Sequence, residues 1–343
     1  MEHDARSLAG ARNERDLPES HWQIQGEGVM ARCLVLGGNG FVGSYLVEGL
    51  VAAGHQPVVF DRPQVRRIAE LEKLEGVTWV EGDFVNAEVL DEALEGCEYV
   101  FHLISTTLPK SSNDNPIYDV DTNLRGTLAL LDAMVKRKAR KVIFVSSGGT
   151  VYGIPRSVPI TEAHPTEPLC SYGITKLAIE KYLHLYHVLH GLDYAVLRLS
   201  NPFGERQRFE AKQGAVAVFL GHALRGEPIE IWGDGSVVRD YIYISDAVRA
   251  LIASMHESAS NDRVFNIGSG EGHSLNQVLD AIETVLGRPV ERRYLCGRSF
   301  DVPVSVLDIE RAKRSLSWCP EVSFEDGLKN TAAWLQTTLA TGK

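Results

Sequence analysis

From residue 31 onward, short apolar runs alternate with longer stretches in which apolar residues recur at helical spacing. The apolar runs at 32–37, 57–60, 77–80, 98–103, 141–146 and 193–198 predict strands. The stretches at 41–53, 64–73, 87–94, 118–138 and 171–190 predict helices. Such alternation predicts an α/β fold, a Rossmann-type doubly wound parallel sheet with helices on both faces. Two helices are apolar on more than one side. In 118–138 the apolar residues include Leu124, Leu128, Leu131 and Val135, and in 171–190 they include Leu177, Leu183, Tyr186 and Leu189. A helix of that kind is buried on two faces. One face meets the sheet, and the other is expected to meet a second copy, giving a homodimer. Past residue 199 the pattern breaks into shorter elements with frequent glycine and proline. Two segments, 240–254 and 263–286, still read as strand-then-helix returns to the main sheet. The expected organisation is a flexible extension at 1–29, a dinucleotide-binding domain at 30–198 and a smaller C-terminal substrate-binding lobe at 199–343. That lobe is interleaved with the main sheet through about 240–286.

The first strand runs into Gly37-Gly38-Asn39-Gly40-Phe41-Val42-Gly43, with glycines at Gly37, Gly40 and Gly43. Glycines at a strand-to-helix turn let the backbone approach a pyrophosphate, and the helix N-terminus offers free N–H groups and a partial positive charge. The second strand ends in Asp61, where a carboxylate can accept the adenosine ribose hydroxyls and repel a 2′-phosphate. NAD is therefore expected in preference to NADP, although Arg62 next door is a feature that NADP would use.

Composition narrows the picture. The formal charge is −10, which argues against a general nucleic-acid surface. An anionic ligand then requires local arginines. The five cysteines are scattered, with neither a Cys-x-x-Cys pair nor histidines at metal-ligand spacing, so no structural metal is expected and a reducing, cytoplasmic setting is. No apolar run is long enough to span a bilayer. Residues 2–28 are polar and charged without a signal-peptide core, and Met30 would make a sensible start.

The fifth strand ends in Ser146-Ser147-Gly148-Gly149-Thr150, and Tyr172 and Lys176 follow at i, i+4 on a predicted helix. That spacing puts both on one face. A lysine ammonium beside a phenol favours the phenolate, and an oxidised nicotinamide pushes the same way. The pair thus predicts a general base usable near neutral pH.

At this point the chain resembles an extended short-chain dehydrogenase/reductase of the NAD-dependent epimerase/dehydratase family, most closely the UDP-glucose 4-epimerase group. The resemblance runs from Met30 to about Leu335. Its motifs come in the family order: Gly37/Gly40/Gly43, Asp61, Gly82-Asp83, His102-Leu103, Asp121 to Thr127, the serine strand, Tyr172/Lys176, Arg198 to Pro202, Gly233 to Tyr241, Asn266 to Gly268, and Arg298 with Asp301. The resemblance implies an NAD-dependent enzyme that inverts C4 of a UDP-hexose or UDP-N-acetylhexosamine through a 4-keto intermediate. On the cofactor it implies Asp83 and Phe84 at the adenine, Leu103, Ser105 and Thr106 along the pyrophosphate and nicotinamide, and Ser146, Tyr172 and Lys176 at the reacting end. Asn123 is similar to a helix asparagine that braces the site. On the substrate it implies Asn201 at a phosphate, Arg239 and Arg298 as a diphosphate clamp, and Asp301 at the uridine ribose.

One departure stands out. The epimerases usually carry a third hydroxyl residue where this chain has Gly148. Ser147 is the favoured substitute for the catalytic hydroxyl, with Thr150 as its rival. Related dehydratases resemble Thr-Asp-Glu at that point, and decarboxylases keep a glutamate. Gly148-Gly149 offers no carboxylate, so a 4,6-dehydratase or decarboxylase ranks second, alongside an NADP-dependent reductase. A non-catalytic NAD-sensing protein ranks last, because both Tyr172 and Lys176 are present. The position similar to the family's pocket gate is Ser305, whose small side chain leaves room for an N-acetyl group unless Phe300 closes the pocket instead.

Overall fold

The structure is a computed structural model that describes residues 30–341 apart from 64, 211–213, 257–260 and 298–301. The N-terminal half carries strands β1 (Arg32–Leu36), β2 (Gln56–Asp61), β3 (Thr78–Glu81), β4 (Tyr99–His102), β5 (Lys141–Ser147) and β6 (Asp193–Leu199). Interleaved with them are helices α1 (Phe41–Ala52), α2 (Ala69–Glu72), α3 (Ala87–Ala93), α4 (Pro109–Asp114), α5 (Pro116–Asp119), α6 (Gly126–Arg137) and α7 (Ser171–His190). The C-terminal part adds β7 (Asn201–Phe203), β8 (Ile229–Trp232), β9 (Val238–Tyr243), β10 (Val264–Ile267), β11 (Gly272–Ser274), β12 (Arg292–Leu295) and β13 (Val304–Ser305). Its helices are α8 (Ala215–Arg225), α9 (Ile244–Ala253), α10 (Leu275–Leu286), α11 (Glu310–Leu316) and α12 (Phe324–Thr341).

The main sheet has seven strands in the order β10-β6-β5-β4-β1-β2-β3. All its pairings are parallel. Strand order reverses between β1 and β4, and ligands of open parallel sheets bind at such a switch point, outside the carboxyl ends of the strands. Side chains alternate between the two faces with period two. Cys33, Val35, Val59, Phe101 and Ile143 pack on one face. Leu34, Leu36, Val58, Val100, Val142 and Phe144 pack on the other. That second layer takes Leu130, Leu131 and Met134 from α6 and Ile179 and Leu183 from α7.

The two expected returns to the main sheet divide. In 263–286 the strand β10 pairs with β6 in the main sheet, but α10 packs with α8 and α12 in the C-terminal lobe. In 240–254 the helix α9 packs on α1, whereas β9 is the centre of a small second sheet. There β9 pairs with β7, β11 and β13. Strands β8 and β12 form a separate parallel pair.

Two helices also differ from expectation. Among the described residues of 64–73, one turn, α2, is helical. The side chain of Asn39 donates to the Arg66 carbonyl and accepts from the Ile68 N–H, which pins the approach to α2 against the glycine turn. The long helix expected at 118–138 begins at Pro116 and passes through a π-helical turn, Val120–Arg125, before α6. Such turns often sit at functional sites.

Candidate active site

The glycine turn lies at the carboxyl end of β1. Gly37 has φ +82°, a left-handed conformation that glycine adopts without steric cost. A Cβ on Gly43 would stand 2.1 Å from the Gly37 carbonyl oxygen, so the start of α1 and the turn meet backbone to backbone. No side chain caps α1, and its first turn holds no acid. Its leading N–H groups therefore suit an anion. Phe41 and Val42 in that first turn are partly buried against the core. Asp61 ends β2 beside the turn, where its carboxylate accepts from the N–H of Asn39 (3.2 Å) and of Arg62 (2.8 Å). Arg62 itself is exposed. A glycine turn packed too tightly at Gly43 for a side chain, leading into a helix N-terminus and with a fixed carboxylate at its rim, fits a dinucleotide carrying free ribose hydroxyls.

Asp83 is exposed after β3 and accepts from the Val85 N–H. The Phe84 ring is buried, packed 5.1 Å from the His102 ring and against Gly126. Its side chain thus belongs to the core. Leu103 continues β4 by donating its N–H to the Leu36 carbonyl. Beyond it the Thr106 N–H donates to Asn123 Oδ1 at 2.9 Å, and Ser105 Oγ donates to the Thr107 carbonyl.

Residues that are distant in the chain converge at the head of α7. Ser105, Asn123, Tyr172 and Lys176 line one narrow crevice together with Ile104 and Asp119. Lys176 is buried, donates to the Val145 carbonyl at 2.8 Å, and holds its ammonium 4.6 Å above the Phe144 ring and 5.7 Å from the Tyr172 ring. Burial pushes its pKa down to about 8, opposed by the charges of Asp119 and Glu180. The Tyr172 phenol is pushed above its usual value by burial first, then by Cys170 and Asp119. The expected general base forms with the lysine and an oxidised nicotinamide together; in the protein chain by itself, burial holds the phenol protonated.

The turn after β5 explains the missing hydroxyl. A Cβ at Gly148 would lie 2.5 Å from Leu307 Cδ1, so the leucine occupies the volume a side chain there would need. Ser146 faces away and donates to Glu180, which pairs with Arg198 at 2.6 Å in the core. Arg198 also donates to the Tyr152 hydroxyl, and Tyr152 to Asn266, so a buried polar network stiffens the floor under the turn. Ser147 is partly exposed at the strand end. The Thr150 hydroxyl is buried without a hydrogen-bond partner, and the Thr150 carbonyl presses on Gly173, the residue after Tyr172.

A cleft of about 270 Å³ opens in the C-terminal lobe, lined among others by Asn201, Gln207, Glu230, Trp232, Arg239 and Tyr241. Arg239 donates to the carbonyls of Val238 and Val302. Asn201 donates to the Asp240 carbonyl at 2.9 Å, which ties β7 to β9. Ser305 is buried on β13, in register with Arg239. Arg298 and Asp301 lie outside the described residues. The sequence reading missed Asp119, Gln207, Glu230 and Trp232, which belong to none of the motifs it weighed.

A parallel sheet with a glycine cradle at its switch point, a Tyr/Lys pair beside that cradle and a C-terminal cleft of mixed polar and apolar lining define an enzyme of the extended short-chain dehydrogenase/reductase type. Residues 33–268 match the family model "NAD dependent epimerase/dehydratase family", and the chain belongs to that family. It is 35% identical to the UDP-glucose 4-epimerase of Mycolicibacterium smegmatis over 311 residues, 89% of this chain and 98% of the relative. The UDP-N-acetyl-α-D-glucosaminuronate decarboxylase of Bacillus cytotoxicus is 32% identical over 89% of this chain and 98% of its own. Among solved structures, the Thermotoga maritima UDP-glucose 4-epimerase with UDP-glucose superposes with a TM-score of 0.85 at 37% identity, covering 90% of this chain and 99% of that one. The UDP-N-acetylglucosamine 4-epimerase of Methanobrevibacter ruminantium, in complex with UDP-N-acetylmuramic acid, gives 0.84 at 30%, covering 90% and 99%. The relatives thus include epimerases and a decarboxylase, and NAD is the cofactor of the family. Among the described residues no helix is long and apolar enough to cross a membrane.

Proposed function

We propose that the protein is an NAD-dependent 4-epimerase acting on a UDP-hexose or UDP-N-acetylhexosamine. One observation carries this reading: the Tyr172 and Lys176 segment, which bonds the Val145 carbonyl and packs Gly173 against the Thr150 carbonyl, adjoins residues 146–150, which are hydroxyls and glycines only. Inversion at C4 takes one proton from O4 and returns it to the same oxygen. A single phenol assisted by one hydroxyl suffices for that. Dehydration or decarboxylation needs a further acid or base, and the turn supplies none.

Gly37, Gly40, Gly43 and Asp61 would hold NAD at the switch point, with Ser105, Thr106 and Asn123 along its nicotinamide side. When bound, NAD supplies a reversible hydride acceptor and a positive ring beside the phenol. Tyr172 takes the O4 proton and later gives it back, Lys176 stabilises the phenolate, and Ser147 or Thr150 orients O4. Thr150 gains support from its unpartnered hydroxyl. Asn201 and Arg239 hold the diphosphate, joined by Arg298, and Asp301 accepts from the uridine ribose in this reading. The small side chain of Ser305 leaves room for an acetamido group.

A homodimer completes the proposal. Ile117, Ile174, Val188 and Leu189 are exposed on α5 and α7, Ile117 to 76% and Val188 to 65%. A two-fold contact between these faces would cover them. The test of function is incubation with a panel of UDP-sugars, with products read by NMR. Accumulation of the C4 epimer is expected. Elimination, decarboxylation or no turnover across the panel would overturn the reading.

A further inference from the structure

Asp119 is fully buried at the junction of α5 and the π-helical turn. Its Oδ1 accepts from the Thr107 hydroxyl and, at 2.9 Å, from the Asn123 amide. Its Oδ2 accepts from the Ser171 hydroxyl at 2.8 Å and the Thr175 hydroxyl at 2.7 Å. These four donors come from three different segments. Thr107 follows the loop after β4, and Asn123 in the π-turn also receives the Thr106 N–H of that loop. Ser171 and Thr175 bracket Tyr172 on the first turn of α7, with Lys176 the next residue. A buried carboxylate is costly unless its acceptor sites are filled, and here both oxygens are.

From these contacts we infer that Asp119 is a positioning residue that locks the Tyr172–Lys176 turn in register with the loop carrying Ser105 and Thr106. The inference deepens the proposed function and rests on Tyr172 being the base. Asp119 and Asn123, four residues apart on the same helical face, meet side chain to side chain while the Asn123 carbonyl oxygen accepts from the Thr127 hydroxyl. Other side chains secure the same end of α7 without supplying charge. Ser112 accepts from the Tyr172 N–H, and Asn113 accepts from the Ser171 N–H.

The carboxylate also sets charge. It favours the Lys176 ammonium against burial and opposes the Tyr172 phenolate. The other titratable groups facing the pair are Cys170 before Tyr172, Glu180 one turn beyond Lys176, and His102 on β4, which burial keeps neutral. Removing the Asp119 charge lowers the pKa of both members of the pair, so both limbs of a pH–rate profile move toward acid.

The test uses the full chain with its bound NAD and compares Asp119→Asn, Ser171→Ala and Thr175→Val. Tyr172 is followed by NMR of ring-labelled tyrosine, its resonance assigned with Tyr172→Phe, and turnover is followed on the UDP-sugar that the native protein epimerises. In Asp119→Asn, Tyr172 is expected to titrate about 1 pH unit lower. Its kcat is expected to fall about 10- to 100-fold, the scale of a small misplacement, with KM changed less than about threefold. Ser171→Ala and Thr175→Val keep the charge, so each should lower kcat without moving the Tyr172 titration. An unmoved Tyr172 titration in Asp119→Asn overturns the inference, as does a lowered Tm with normal kcat per folded molecule. If Asp119→Asn does not fold, normal kcat in both hydroxyl variants overturns it. If the native protein turns over no nucleotide sugar, the epimerase reading fails while the tyrosine titration still decides the role of Asp119.

Discussion

The cofactor cradle and the C-terminal cleft are built in opposite ways. The cradle is local: its glycines lie within seven residues, and one more strand brings in Asp61. Its function depends on backbone geometry, which fixes the residue type. At Gly43 a Cβ would meet a carbonyl oxygen at 2.1 Å. The cleft is assembled from short pieces. Asn201 is on β7, Glu230 and Trp232 on β8, and Arg239 and Tyr241 on β9. There the backbone constrains little, and side-chain chemistry decides what binds. The same molecule therefore has one site whose sequence could hardly differ and another free to vary with substrate. Variants that act on the first should abolish function whatever the sugar. Variants in the second should change which sugar is taken.

The largest effect is expected at Tyr172. Tyr172→Phe keeps the ring and its packing but removes the base. Turnover should fall about 10²- to 10⁴-fold while NAD binding and Tm stay near native values. Activity measurements alongside cofactor titration check this, and near-normal turnover would sink the mechanism.

That pair was legible in the sequence because α7 spans 171–190 as its pattern predicts, and i, i+4 residues on a helix share a face. The six strands of the first half were legible for a similar reason, since each carries a short run of apolar residues. Contacts made across the chain were not. Asp119 takes its α7 donors from 52 and 56 residues away, and nothing in a linear pattern marks an aspartate for that. Nor does a strand-then-helix pattern say which sheet receives the strand. Residues 238–243 and 264–267 are both followed by helical stretches, yet only the second joins the main sheet. The helix expected at 64–73 forms over 69–72 among the described residues, and a side chain from another segment, Asn39, pins the residues before it, which no linear pattern shows.

Within the cradle, Asp61→Asn keeps a similar shape and removes the charge. NAD affinity should fall, and the preference for NAD over NADP should narrow by about tenfold or more, since one charged hydrogen bond contributes about 1.5–3 kcal/mol. Isothermal titration with both cofactors measures the ratio. A native protein that binds both equally would contradict the assignment of Asp61.

After β5, Gly148 and Leu307 form a steric pair. Gly148→Ser should destabilise by about 1–3 kcal/mol, the usual cost of overpacking. Adding Leu307→Ala should recover part of that loss by opening the volume, even though Leu307→Ala alone leaves a cavity. Denaturant unfolding of the three variants gives the coupling. Additive effects would mean that the leucine is not what excludes a side chain at 148.

The smallest effect belongs to the cleft, and it distinguishes substrates instead of stopping the enzyme. Ser305 is buried on β13 and in register with Arg239, and parallel partners in register present their side chains to the same face. Arg239 lines the cleft, so a larger side chain at 305 grows alongside it. Close packing leaves no volume that a tyrosine ring and an acetamido group can share. Ser305→Tyr should therefore lower kcat/KM for a UDP-N-acetylhexosamine about tenfold more than for UDP-glucose or UDP-galactose, within the range that a small steric difference supplies. Measuring kcat/KM for both substrate types in the native protein and the variant gives the ratio directly. An equal loss for both would mean that tyrosine perturbs Arg239 or the fold of β13 rather than gating the sugar, and the gate would have to be sought elsewhere in the cleft.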